Sequence, residues 1–237
     1  MSTKKKLLVV FTTLVAVVAI VAISVMATVA YLTSSSAVSN VFTIGDVGIV
    51  FDETAVNSDG EATGEARRDA NTYHLVPGKR YIKDPTVHVD ATSVDSYLFI
   101  IARNDLAAAE ETDGDAKTMA EQALELGWKV YTPTDTNDRP VTGNVYVYCG
   151  GQHDDANGGL AVPVVANKSY KMFDYFQVDE DANVSLYSAA KITLSAYAIQ
   201  IDGFGSEEQI GSQESLDLAW DAIIEHFPII TFGNANA

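Results

Sequence analysis

Residues 191–201 (KITLSAYAIQI) alternate between two kinds of side chain, and this pattern decides the fold class. Positions 192, 194, 196 and 198 are apolar and share one face, whereas Thr193, Ser195 and Tyr197 share the other. An alternation with a period of two predicts a β-strand. A second segment, residues 97–101 (YLFII), is continuously apolar, which predicts a strand buried on both faces.

Similar segments occur on both sides of these two along the chain. The predicted strands cover residues 41–51, 81–90, 97–101, 128–131, 144–149, 160–165, 170–178, 191–201 and 229–232. Two short helices are predicted at residues 116–126 and 215–227, with Ser215 as the N-cap of the second. Many short strands with few helices predict an all-β fold, an antiparallel β-sandwich formed by one domain over residues 31–237.

The N-terminal segment differs in composition from this body. Three lysines at positions 4–6 precede 24 uncharged residues, 7–30, which resembles the basic and apolar regions of a signal peptide. As a helix, the apolar run is also long enough to span a bilayer. The small residues Ala27 and Ala30 favour cleavage before Tyr31, so residues 1–30 are predicted to be a signal peptide. An uncleaved membrane anchor is the alternative, and either one predicts export of the body.

The charge of the body restricts its partners. The chain of 237 residues has 15 Lys and Arg against 32 Asp and Glu, a net charge of −17. Without the first 30 residues, 12 basic residues remain against 32 acidic ones, a net charge of −20. Such a surface repels phosphate groups, which argues against nucleic-acid binding. Contact with a membrane is expected only through the N-terminal segment, if that segment stays uncleaved.

The residues that usually carry chemistry are scattered. Cys149 is the single cysteine, so no intrachain disulfide can form, and it is expected to be a packed residue. The four histidines lack the spacing of metal ligands, and no catalytic motif is present, so neither a cofactor nor an enzymatic activity is predicted. The acidic segments 135–138, 154–157 and 179–181 are expected to be solvated turns, with a weak Ca²⁺ site as the alternative.

Several basic and aromatic residues are assigned structural roles. The pairs Arg67-Arg68 and Lys79-Arg80 are expected to form local salt bridges. The helix face with Trp220, Ile223, Ile224 and Phe227 and the isolated Trp128 are expected to lie in the core. Tyr146 and Tyr148 are expected to pack in the sheet, and an exposed binding platform is the alternative for them.

The junction between leader and body resembles a known family. Residues 28–33 (TVAYLT) and 40–47 (NVFTIGDV), followed by Pro77-Gly78, residues 83–87 (KDPTV) and 196–200 (AYAIQ), are similar to segments of the TasA/camelysin family of exported Gram-positive proteins. Leu32 stands where that family more often has Phe. The resemblance implies cleavage by a specialised signal peptidase, a jelly-roll β-sandwich, and a role as a fibre subunit of the biofilm matrix.

The resemblance further implies that the N-terminal segment freed by cleavage adds as a strand to a neighbouring subunit. Here this segment covers about residues 31–41, and the predicted self-assembly residues are Tyr31, Leu32, Val38, Val41 and Phe42. The expected partners are therefore other copies of the chain and, during export, signal peptidase, and the expected location is the cell surface or extracellular matrix. The alternative functions are a camelysin-like surface metalloprotease and a membrane-anchored binding module.

Overall fold

The alternating segment forms the second strand of a five-stranded sheet. A computed structural model describes residues 39–134, 143–150, 161–187 and 189–227. Its strands are β1 Ser39–Ile44, β2 Ile49–Asp52, β3 Arg80–Ile82, β4 Thr86–Val89, β5 Ser96–Asn104, β6 Trp128–Tyr131, β7 Asn144–Tyr148, β8 Ser169–Lys171, β9 Tyr175–Gln177 and β10 Ile192–Gln200. The two α-helices are α1, Met119–Glu125, and α2, Gln213–His226. The predicted strand at residues 229–232 and the predicted leader lie outside the described residues.

The main sheet has the strand order β1-β10-β5-β7-β6. Its β10–β5, β5–β7 and β7–β6 pairs are antiparallel, whereas β1 runs parallel to β10. The predicted β-rich fold with two helices is confirmed, but the prediction that all strands pair antiparallel is wrong at β1. A parallel pair needs a long connection between its strands, and residues 45–191 provide one.

Two smaller sheets complete the β-structure of the described residues. One has the order β2-β4-β8, and the other consists of β3 and β9. Both are antiparallel. All three sheets are open.

The main sheet is buried on both faces. On one face, Leu98 and Ile100 share a core cluster with Phe51 of β2 and Val87 of β4. On the opposite face, residues such as Phe99 belong to a second cluster with the apolar side of α2. This arrangement explains why residues 97–101 are continuously apolar, and the prediction of a strand buried on both faces is confirmed.

Three predicted strands are each divided into two in the structure. The predicted strand at residues 170–178 forms β8 and β9, which belong to different sheets. Residues 41–51 form β1 and β2, which belong to different sheets, and the chain bends between them at Gly45. Gly45 has a φ of +90°, and a Cβ atom at this position would clash with the side chain of Gln200. Residues 81–90 similarly divide into β3 and β4 around Asp84-Pro85, because proline cannot donate a hydrogen bond to a sheet.

Two further local predictions need correction. Ser212, not Ser215, caps α2, because its side chain accepts a hydrogen bond from the Ser215 backbone N–H. Ser215 itself lies within the first turn of the helix and is buried. The predicted strand at residues 160–165 is reduced, in its described part, to a single bridge between Val164 and Ser96. The described residues, from Ser39 onwards, belong to one compact unit. In the described ranges, none of the helices has the length and apolar character needed to cross a bilayer.

Candidate functional site

Two of the predicted self-assembly residues lie on β1, at an edge of the main sheet. Val41 is in register with Ala196 of β10, and Phe42 is in register with Tyr197. Tyr31, Leu32 and Val38, together with the predicted processing residues Ala27 and Ala30, lie outside the described residues. No described strand pairs with the outer edge of β1.

Phe42 makes the aromatic contacts of β1. Its ring stacks on Tyr197 with a centroid distance of 4.7 Å and an interplanar angle of 11°. Its centroid is also 4.8 Å from that of Phe227, the residue that follows α2. Val41 packs against the core cluster on the opposite face of the sheet. Residues 41–44 are all half-buried. The side chains of β1 at these positions therefore pack against the core clusters on both faces of the sheet, but none of them is fully buried.

Beyond β1, the chain is fixed to the body by new backbone contacts. Gly45 and Asp46 are exposed. The Asp46 carbonyl accepts a hydrogen bond from the Val94 N–H at 3.1 Å, and the Gly48 carbonyl accepts one from the Asp90 N–H at 2.9 Å. The exposed Gly45-Asp46 turn therefore lies between the edge strand β1 and a following segment that has its own backbone hydrogen bonds to the body.

A buried ion pair lies where β2 and β3 end. The Lys83 ammonium donates a hydrogen bond to Oε2 of Glu53 at 2.5 Å, and the two side chains are 4% and 3% exposed. The other oxygen of this carboxylate, Oε1, accepts a hydrogen bond from Nδ2 of Asn71 at 2.9 Å. The ring centroid of Tyr73 lies 6.0 Å from the Lys83 nitrogen. One carboxylate thus binds both a buried lysine and a half-buried asparagine.

Next to this pair, Arg67 joins two carboxylates. Its guanidinium contacts Asp52 at 2.5 Å and Asp84 at 2.8 Å, and it also donates to the backbone carbonyls of both residues. Asp84 accepts further hydrogen bonds from the N–H and hydroxyl of Thr54. Burial acts to raise the pKa of Asp84, but the hydrogen bonds from Arg67 and Thr54 outweigh it and hold this pKa below its usual value.

The other predicted ion pairs are more exposed. Arg68 pairs with Glu65, and Lys79 lies 3.4 Å from Asp59. Arg80 instead stacks over the ring of Tyr175, with 4.0 Å between its guanidinium carbon and the ring centroid. The predicted local salt bridges are therefore confirmed for Arg67, Arg68 and Lys79.

A cleft of about 400 Å³ opens at the end of the main sheet, between β5, β7, β10 and α1. Met119, Met172 and Phe173 form part of its apolar wall. Glu110, in the same wall, accepts hydrogen bonds from Asn104 and from the Met119 N–H, and burial raises its pKa. The cleft has the size of a small-molecule site and combines apolar walls with a few polar groups.

The predictions for the remaining aromatic residues and for Cys149 fit packed positions. Trp128, Trp220 and Ile223 are buried, and Ile224 and Phe227 pack against the second cluster. Tyr146 is buried and Tyr148 is half-buried, so an exposed platform formed by these two residues is wrong. Cys149 is also half-buried, and burial raises the pKa of its thiol.

In the described ranges, no group of three or more His, Cys, Asp or Glu side chains is arranged to hold a metal ion. The acidic segments 135–138 and 154–157 lie outside those ranges.

The sequence interpretation missed the pairing of Glu53 and Lys83, although a signal for it was present. Glu53 continues the inward-facing series of Ile49 and Phe51, and Lys83 continues the inward-facing position of Tyr81. A charge at an inward-facing position needs a partner, because isolated buried charges are strongly unfavourable. Two opposite charges at such positions were therefore candidates for a pair.

Protein-family models, curated proteins and solved structures were compared with the chain, and none of them matches it.

Proposed function

We propose that this chain is an exported structural protein of the cell surface or extracellular matrix, whose subunits assemble by exchanging an N-terminal strand. The observation that carries the proposal is the position of β1. It is the first described strand, it pairs in parallel with β10 at a sheet edge, and an exposed turn follows it. The resemblance to the TasA/camelysin family supports the same function, with signal-peptide cleavage and a jelly-roll arrangement of the strands.

Strand exchange costs little contact energy here, because it preserves existing contacts. If β1 of one subunit pairs with β10 of a second, the stacking of Phe42 on Tyr197 is kept between chains. The backbone amides of β10 also stay paired. When each subunit donates β1 to the next and the series does not close, the product is a filament. The proposal assigns no catalytic turnover and no cofactor to the chain.

Disulfide trapping tests the exchange directly. Thr43 and Ala198 are in register across the β1–β10 pair, so Thr43→Cys with Ala198→Cys places two thiols at neighbouring positions. The background carries Cys149→Ser, which removes the natural thiol. After assembly and oxidation of the chain that begins at Tyr31, we expect a ladder of linked subunits on non-reducing gels. Each single-cysteine chain is the matched control and is expected to give no species beyond a dimer.

The disulfide-trapping experiment also has an outcome that would contradict the proposal. A disulfide that forms only within chains would mean that β1 stays in its own subunit. Chains that begin at Tyr31 and at Val41 should also be compared by light scattering and electron microscopy. If both stay monomeric at every salt concentration and pH tested, assembly through this strand is excluded. Casein cleavage with and without a chelator tests the alternative of a surface metalloprotease.

The cleft beside Glu110 favours one second candidate, a binding module for a small molecule. Its apolar wall, on a body that is strongly acidic as a whole, suits an organic cation more than an anion. Screening primary amines that carry an apolar group by thermal shift tests this function. A Met172→Ala variant with unchanged response to a hit would place that binding elsewhere.

A further inference from the structure

We propose that Lys83 and Asn71 become joined by an intramolecular amide bond, formed by the chain itself with Glu53 as the proton carrier. The bond would connect Nζ of Lys83 to Cγ of Asn71 and release ammonia. This site is separate from β1 and does not depend on strand exchange.

The first support is the position of the two reacting groups on one carboxylate. Nζ of Lys83 lies 2.5 Å from Oε2 of Glu53, and Nδ2 of Asn71 lies 2.9 Å from Oε1. Within the described part of the chain, Glu53 is the one hydrogen-bond acceptor of this ammonium group. The nucleophile and the leaving nitrogen are therefore held by the two oxygens of a single side chain, and this proximity favours their reaction.

The second support is the fixed orientation of the Asn71 amide. Nδ2 donates to Glu53 and also to the Thr54 carbonyl at 2.8 Å, while Oδ1 accepts a hydrogen bond from the Val56 N–H at 2.9 Å. Both partners of Nδ2 are acceptors and the partner of Oδ1 is a donor, so the reverse orientation would lose these bonds. The Val56 N–H is placed to stabilise the negative charge that develops on Oδ1 when an amine attacks Cγ.

The third support is burial. The side chains of Lys83 and Glu53 are only 4% and 3% exposed, and the Tyr73 ring lies beside the lysine nitrogen. Two charges removed from water gain little from their attraction, because the loss of hydration is large. Transfer of one proton from Nζ to Oε2 neutralises both groups and leaves the free amine that the reaction requires.

The atoms of the step balance without an oxidant or a cofactor. The Nζ electron pair attacks Cγ, and the tetrahedral intermediate carries its negative charge on Oδ1. Glu53 passes the proton through Oε1 to Nδ2, the Cγ–Nδ2 bond breaks, and ammonia leaves with that electron pair. The remaining extra proton on Nζ passes to Glu53 and then to ammonia, so Glu53 returns to its charged form and ammonium is the product.

Space for the leaving group exists next to the pair. A cavity of about 10 Å³ is lined by residues that include Glu53, Lys83 and Asp69. This volume is close to that needed for one water molecule, and ammonia has a similar size. The resulting cross-link would join the segment after β2 to the end of β3. A chain with one cysteine cannot obtain such an internal link from a disulfide.

Peptide mapping of the purified full chain tests the proposal. Trypsin should release residues 69–79 joined to residues 81–103, because a modified Lys83 resists cleavage. The mass of this branched peptide should be lower than the sum of its parts by one ammonia. Intact mass alone is insufficient, since Asn157-Gly158 can also lose ammonia by cyclising to a succinimide; fragmentation of the branched peptide identifies the two joined residues.

Four variants give the matched comparison. Glu53→Gln and Lys83→Arg should lose the branched peptide completely, and Lys79→Arg, at a more exposed lysine, should keep it. Asn71→Ala provides a second loss variant if circular dichroism shows that Glu53→Gln does not fold. Unlinked peptides 69–79 and 81–83 recovered in full from the folded natural chain would overturn the proposal. A branched peptide that persists in folded Glu53→Gln would overturn the role of Glu53.

Discussion

The ring of Phe42 on β1 stacks on the ring of Tyr197 on β10, with centroids 4.7 Å apart and planes 11° from parallel. The two residues are also register partners in the parallel pair, so backbone and side-chain contacts coincide at this position. Stacked and tilted aromatic pairs add to the stabilisation that burial alone provides. This position is therefore the main side-chain anchor of β1.

Replacing Phe42 with Ala should weaken the attachment of β1. Because the side chain is half-buried, we expect the free energy of unfolding to fall by about 1–2 kcal/mol, the lower part of the range for burying a Phe. Urea unfolding followed by circular dichroism measures the change. Val50→Ala, at an exposed position on β2, is the control and should alter stability by less than about 0.5 kcal/mol. Equal effects of the two variants would show that Phe42 does not anchor the strand.

The neighbouring arginines Arg67 and Arg68 should respond very differently to substitution. Arg67→Ala leaves Asp52 and Asp84 without their shared partner, and should lower the free energy of unfolding at pH 7 by roughly 1–3 kcal/mol. Arg68→Ala removes only an exposed contact with Glu65, for which we expect about 0.5 kcal/mol or less. Thermal unfolding of both variants at one pH makes the comparison. Similar losses would contradict the role given to Arg67.

Acid should remove the contribution of the same contacts. The folded chain holds the pKa of Asp84 below its usual value, so the stabilisation is fully present above the unfolded pKa of about 3.9. It is lost as the pH falls through the lower folded pKa. The stability difference between the natural chain and Arg67→Ala should therefore be constant near neutral pH and shrink in strong acid. Urea titrations from pH 7 downwards measure it, and a difference that grows with acid would refute this explanation.

Two interior strands of the main sheet, β10 and β5, were predictable because each follows a single hydrophobic pattern. β10 alternates and β5 is continuously apolar, and both patterns follow directly from burial on one or both faces. The divisions at Gly45 and at Asp84-Pro85 were missed, because alternation continues across a bend when both strands face the same core. The parallel pairing of β1 could not be predicted, since it depends on which distant strand β1 meets.

The candidate sites were predictable in different degrees. The proposed assembly residues Val41 and Phe42 were predicted from their position near the predicted leader, whereas the triad of Glu53, Asn71 and Lys83 comes from three separate segments. Two of its members stand at inward-facing positions, but nothing in the local pattern brings Asn71 to them. Such a meeting depends on the loop after β2, whose path is determined by contacts with distant residues.

Packing of α2 on the main sheet should depend on Trp220. Its side chain is 2% exposed and its ring lies 5.3 Å from that of Phe99, so Trp220→Ala should cost about 3–5 kcal/mol. Leu218, on the same helix, is 48% exposed, and Leu218→Ala should cost less than about 1 kcal/mol. Chemical denaturation of the two variants provides the measurement. A small loss in Trp220→Ala would mean that the sheet retains its stability without this contact.

Assembly of the processed chain should increase with salt and with moderate acid. A body with a net charge of −20 repels its copies, and this repulsion opposes strand exchange at neutral pH and low ionic strength. Raising the salt from about 0.01 M to about 0.15 M shortens the screening distance from about 30 Å to about 8 Å. Lowering the pH towards the carboxylate pKa values near 4 reduces the charge itself.

Light scattering of the chain that begins at Tyr31 should therefore show faster growth along both series. The disulfide ladder of the chain that carries Thr43→Cys and Ala198→Cys should increase in parallel, because charge acts on the approach of subunits and not on the β1–β10 contact. Growth that is the same at every salt concentration and pH would show that charge does not limit assembly.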